Sequence, residues 1–146
     1  MSNKAASILG KFAGTDRKRN GTGDAQTLSR HVVRAMLDKK ARDIVLIDMR
    51  KVSDIADYFL ICTGDSDLQI KAIVDGVQDE VREATGERPW RSEGYTHRQW
   101  VVVDYVDVVV HVFDQERRSF YNLERLWADA PTENISDDAT SVVMLD

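Results

Sequence analysis

The pattern of hydrophobic and polar positions is sharpest over residues 100–113, WVVVDYVDVVVHVF. Valine is stiff about its first side-chain torsion and packs well on a pleated surface. Two valine runs either side of a short polar break therefore predict a β-hairpin. With a two-residue turn at Tyr105 and Val106, Val103 pairs with Val108, Val102 with Val109, Val101 with Val110 and Trp100 with His111. Side chains alternate faces along a strand. One face is then Val101, Val103, Val108, Val110 and Val112, and reads as core. The other carries Trp100, Val102, Asp104, Asp107, Val109, His111 and Phe113, half apolar and half polar, and reads as a surface that meets a partner. Two features strain this register. Neither Tyr105 nor Val106 suits a turn that needs positive φ, and Asp104 opposite Asp107 sets like charges face to face. Either the turn is wider, or the two carboxylates await a cation or a basic partner.

Upstream, Leu28, Val32, Ala35 and Met36 share one face of a helix over residues 27–39, with Thr27 at its start; His31 falls among its polar positions and reads as solvated. Two wholly apolar runs, IVLI over residues 44–47 and YFLICT over Tyr58–Thr63, read as central strands buried on both faces. The link between them is too short for a crossover helix, so they pair antiparallel. Ser66 and Gln69 have capping-box spacing, and Ile70, Ile73, Val74, Val77, Val81 and Ala84 form the stripe of a long helix ended by Gly86. This makes a β-α-β unit from the YFLICT strand to the Trp100 strand, which predicts that those two run parallel. Residues 89–95 read as a loop or short edge strand. Asp114 opens a last helix to Trp127, with Phe120, Leu123 and Trp127 on one buried stripe and Tyr121 and Leu126 beside it.

Composition narrows the class. The chain has 146 residues, 42% hydrophobic and 31% charged, which fits one soluble globular domain. Its organisation reads as a basic, disordered segment over residues 1–24, a folded domain over 25–130 and an acidic tail over 131–146. The apolar runs are far shorter than a membrane span, and there is no secretory h-region. One cysteine, Cys62, allows no internal disulfide and suits the cytoplasm. The net charge is −5, a poor match to nucleic acid, whose binding rests on neutralised phosphates, and a fair match to a basic protein.

Catalytic chemistry finds little support. Three histidines and one cysteine lack metal-ligand spacing, and Cys62 sits in an apolar run where a thiol is inert. Residues 63–66, TGDS, precede a helix as a phosphate loop would, but Asp65 and Asp67 would repel an anion, and capping explains the pattern. Asp104 with Asp107 is a weak Mg²⁺ pair, and turn residues are the simpler reading. No cofactor is implied.

The run over residues 57–66, DYFLICTGDS, the Glu93-Gly94 pair ahead of Trp100, residues 109–113, VVHVF, and residues 120–127, FYNLERLW, together resemble the ribosomal silencing factor family, also called Iojap-related. That resemblance implies a single α/β domain with a mixed sheet flanked by helices, similar to nucleotidyltransferases without their catalytic acids. It implies a non-enzymatic factor that binds the large ribosomal subunit through ribosomal protein L-fourteen. There it blocks joining of the small subunit and represses translation; it also implies homodimers. The chain departs from the family at Val106, where glycine is common. Combined with the hairpin pattern, these expectations place partner contacts at Trp100, Asp104, Tyr105, Asp107 and His111, with Glu93 and Tyr95 beside them. The rival readings are a nucleotidyltransferase-like enzyme and an adaptor or dimerisation module unconnected with ribosomes.

Overall fold

The computed structural model describes residues 25–136 together with Phe12 and Arg17. Helix α1 spans Ala25–Asp38, and strands β1 and β2 span Arg42–Asp48 and Tyr58–Thr63. Helix α2 spans Asp67–Thr85; strands β3, β4 and β5 follow at Arg91–Glu93, Trp100–Asp104 and Val108–Phe113. Short helices α3 (Gln115–Tyr121) and α4 (Leu123–Leu126) lead to an edge strand β6, Thr132–Ile135. The strands form one sheet in the order β3-β4-β5-β2-β1-β6. Only β2 and β5 pair in parallel; every other pair is antiparallel.

Topology corrects the β-α-β reading. The long helix does lead to the Trp100 strand, but that strand is antiparallel to β5, and it is β5 that lies parallel beside β2. The chain crosses over to the sheet's far side and returns through the hairpin. The acidic tail is corrected in part as well: residues 132–135 pair with β1 and bury Ile135. The last helix is broken at Asn122, whose φ of 47° ends α3 and whose side chain accepts from the Arg125 N–H to start α4. Phe120 is thereby turned outward, 58% exposed, not core.

The hairpin keeps its expected faces but not its register. Trp100 lies opposite Phe113, Val101 opposite Val112, Val102 opposite His111, Val103 opposite Val110 and Asp104 opposite Val109. The turn moves one residue on, to Val106 and Asp107, so each partner shifts by two, and a shift of two preserves which face a side chain occupies. Asp104 and Asp107 are no longer opposed.

Each face of the sheet is covered. On one, Leu28, Val32 and Met36 of α1 and the α2 stripe from Ile70 to Val81 pack on the hairpin valines with Leu60 and Cys62. Ala84, expected to extend the stripe, is exposed. Ser66 caps α2 through its Oγ, which accepts from the Gln69 N–H at 3.1 Å, and Gly86 ends it at φ 78°. On the second face Ile47, Phe59, Ile61, Trp100, Val102, Val109 and Phe113 lie under Phe12, Met49, Leu123 and Ala130, with Tyr121 and Trp127 half-buried at the margin. No helix among the described residues is long and apolar enough to cross a membrane.

Candidate functional site

The second face gathers the polar groups that the alternation singled out. His111 is fully buried, and its Nδ1 accepts a hydrogen bond from Trp100 Nε1 at 3.1 Å. Its ring lies 4.7 Å from Phe59, and Trp100 stacks on Phe113 at 5.0 Å and meets Tyr121 at 4.4 Å. Phe12 completes the cluster, 5.6 Å from Phe59.

Asp104 explains the polar half of the face. The Arg17 guanidinium grips its carboxylate as a fork, Nε to Oδ2 at 2.6 Å and Nη2 to Oδ1 at 3.1 Å. Both side chains are nearly closed to water, 6% and 2% exposed. Further guanidinium N–H groups donate to the carbonyl oxygens of Ile55 at 2.8 Å and Val106 at 3.0 Å. Asp104 Oδ1 also accepts from the Val106 N–H at 2.7 Å. Buried ions persist only when paired and hydrogen-bonded, and an arginine fork on a carboxylate meets both conditions. The cation that the hairpin acids call for is thus supplied by the chain itself, from a segment expected to be disordered.

The candidate residues divide between surfaces. Trp100, Asp104 and His111 lie on the second face, below 10% exposure, and Asp107 in the turn is also buried. The exposure on which the docking expectation rested is therefore absent: Phe12, Tyr121 and Arg17 lie over these groups. Glu93 pairs with Val102 across the edge strand, is half-buried and meets Arg91 at 3.0 Å. Tyr105 and Tyr95 face the other way. Tyr105 packs among the helix-face core, where burial pushes its phenol pKa up. Tyr95 packs against the same core and donates from its hydroxyl to Asp75 at 2.9 Å. Burial tends to raise the Asp75 carboxyl, but bonds from Lys71 and Tyr95 outweigh it and hold the pKa below the usual value.

Other chemistry is structural. Burial raises the Cys62 thiol pKa to about 12, so the thiolate does not form near neutrality. His31, expected to be solvated, is half-buried and meets Glu80 of α2 at 2.8 Å. A cleft of about 660 Å³ opens beside α3, lined by Arg42, Gln115, Arg118 and Glu124 among others. Its buried Arg118 is committed to the Asp43 carbonyl, the Thr63 hydroxyl and the Glu124 carboxylate. No cluster of three or more metal-ligating side chains occurs among the described residues. Sequence reading missed Phe12 and Arg17 as parts of the face, and Phe120 as an exposed aromatic at its rim, 5.0 Å from Tyr121. The signal for Arg17 was partial: the acid on the hairpin called for a cation, but Arg91 lies opposite Asp104 in the neighbouring strand and was as good a candidate by sequence.

The geometry thus defines an α/β domain whose second sheet face gathers aromatic rings around a buried, arginine-paired carboxylate. Residues 22–143 match the family model described as ribosomal silencing factor during starvation. The ribosomal silencing factor RsfS of Bacillus subtilis is 49% identical over 98 residues, 67% of this chain and 82% of its own length. The chloroplastic protein Iojap of Zea mays is 35% identical over 112 residues, 73% of this chain and 47% of its own length. A crystal structure of a protein from Chromobacterium violaceum superposes with a TM-score of 0.69 at 33% identity, covering 81% of this chain and 95% of that one. The chain belongs to the ribosomal silencing factor family, whose named role is regulatory and not enzymatic.

Proposed function

We propose that this chain binds the large ribosomal subunit through ribosomal protein L-fourteen and represses translation by occupancy. The observation that carries this reading is the family match across residues 22–143. A folded domain seated on the joining surface excludes the small subunit without any reaction, which suits a protein whose polar groups are spent on each other. The docking surface is the rim of the second face, with exposed Phe120 as the aromatic anchor and half-buried Glu93 at the sheet edge; Trp100, Asp104, Asp107 and His111 lie beneath it and are reached only when the residues over them lift. Aromatic anchors supply much of the affinity at protein interfaces, and acidic groups facing a basic partner set encounter rate and specificity. The cytoplasm is the compartment, and the free chain pairs as a homodimer.

The test is co-sedimentation of the purified chain with large subunits, followed by addition of small subunits on a sucrose gradient. Binding together with loss of joined ribosomes is expected. Joining that proceeds normally with the factor bound would refute occupancy, and no binding to large subunits would refute the docking. Sedimentation velocity of the free chain checks the homodimer.

A further inference from the structure

We infer that Phe12 and Arg17 are an intramolecular ligand of the docking face, held in a site that otherwise receives an arginine beside an apolar side chain from a basic protein segment. This rests on the docking surface proposed above. The site is built as a receptor. Asp104 offers both carboxylate oxygens to a guanidinium, and the carbonyls of Ile55 and Val106 are aimed at its remaining N–H groups. Four hydrogen bonds from one arginine, with the carboxylate 2% exposed, make a specific slot for a planar cation and not a general negative patch. Next to it, Phe59 and His111 form the floor on which Phe12 lies, and the guanidinium carbon of Arg17 stands 5.2 Å from the Phe12 ring.

The occupant comes from outside the sheet and helices that build the site. It belongs to the basic stretch before α1, where five bases meet two acids over residues 1–24. Exchanging it for a partner's arginine conserves every bond at the slot, so the swap needs only a competitor. A tethered ligand competes at an effective concentration on the order of mM, set by its tether. The partner's apparent affinity falls by the fraction of time the slot is self-occupied. The segment therefore sets a threshold: the face docks only where the partner's arginine is presented at high affinity.

The test uses the full chain, wild type and the double variant Phe12→Ala with Arg17→Ala, each checked by circular dichroism. The probe is a labelled peptide copying residues 10–19, GKFAGTDRKR, followed by fluorescence anisotropy. Saturable binding to the double variant is expected, at least about tenfold tighter than to wild type, because the wild-type slot is filled. A peptide with alanine at the position of Arg17 should bind neither. The double variant should also sediment with large subunits at a concentration about tenfold lower than wild type needs. Equal peptide binding to both proteins, or unchanged or weaker subunit binding by a folded double variant, overturns the inference. If neither protein sediments with large subunits, the docking reading has failed, and the peptide alone decides whether the slot takes an arginine in trans. Should the double variant be unfolded, Arg17→Lys, which keeps a positive charge near Asp104 but loses the four-bond guanidinium fork, is judged by the same two measurements and the same outcomes.

Discussion

Val106→Gly should stabilise the chain, and the reason lies in the turn. The Tyr105 N–H donates to the Val108 carbonyl at 2.9 Å, and the Asp107 N–H donates back to the Tyr105 carbonyl at 2.9 Å. That second bond spans only two residues and centres on Val106, whose φ is 73°. This is the γ-turn of positive φ, a rare and strained conformation. A β-branched residue there is a true outlier, and the left-handed region costs about 1–2 kcal/mol for an L-residue. Glycine removes that strain at a cost of about 0.5–1 kcal/mol in unfolded-chain entropy. The Val106 side chain is half-buried, so part of its transfer energy is lost too. The net gain is about 0.5 kcal/mol, or roughly 1–2 °C in Tm for a domain of this size. Alanine supplies the control, because it loses the burial and keeps a Cβ at positive φ. Urea unfolding of the three proteins should rank glycine above both valine and alanine. If glycine falls below valine, with alanine between them, burial and not backbone strain governs the site, and the account of the turn is wrong.

Gly94→Ala should be severe: at φ 87° an added Cβ would sit 2.1 Å from the Trp100 carbonyl oxygen, so a loss of about 3 kcal/mol is expected by urea unfolding. Phe120→Ala, at an exposed position, should change stability by less than about 0.5 kcal/mol and weaken co-sedimentation with large subunits; normal binding removes Phe120 from the docking surface. Trp127→Ala, half-buried against Phe59 at 6.2 Å, should cost about 2–3 kcal/mol and leave subunit binding in the surviving folded fraction. The raised Cys62 pKa sets an alkaline limit: its stabilising contribution is whole below the thiol's ordinary value of 9.0 and is lost as pH rises toward about 12. Thermal melts of wild type should therefore decline faster across that window than those of Cys62→Val, and parallel declines would rule the thiol out as the cause.

The elements that sequence reading placed are those whose signal is local. Capping by Ser66 and Gln69, the αL stop at Gly86 and the uniform burial of YFLICT follow from residues within a few positions of one another. The hairpin faces were legible for the same reason, because alternation survives a register shift of two. The register itself was not. It is fixed by Val106 adopting a conformation that its side chain disfavours, and no propensity announces a strained residue. The strand order was hidden because a crossover helix can return its chain to a neighbour or beyond, and only packing of β5 against β2 decides. Arg17 stands 87 positions from Asp104. Composition could say that an inward carboxylate needs a cation, but not which of the chain's bases reaches it. Phe120 misled because the periodicity of one long helix was extended through Asn122, where the backbone turns.

The two faces of the sheet differ in what it takes to open them. Over α1 and α2 the contacts are almost wholly apolar, from Leu28, Val32 and Met36 to the α2 stripe. Nothing can replace such a layer except another of the same shape, and lifting it exposes side chains worth about 1.5–3 kcal/mol each. Over the second face, directional polar contacts alternate with rings: Trp100 to His111, Arg17 to Asp104, Arg118 to Glu124. A hydrogen-bonded slot can exchange one donor for another with little net change, provided no charge is left unpaired between. On the docking proposed above, the helix face serves stability and the second face recognition. That division also explains why an acid is kept inside a hairpin where an apolar residue would pack as well. Asp104→Leu is the substitution that separates the two demands. With Arg17 released to solvent, the folded domain should survive, since an apolar group replaces a buried ion. Docking of any arginine-bearing partner at this face should be lost with it.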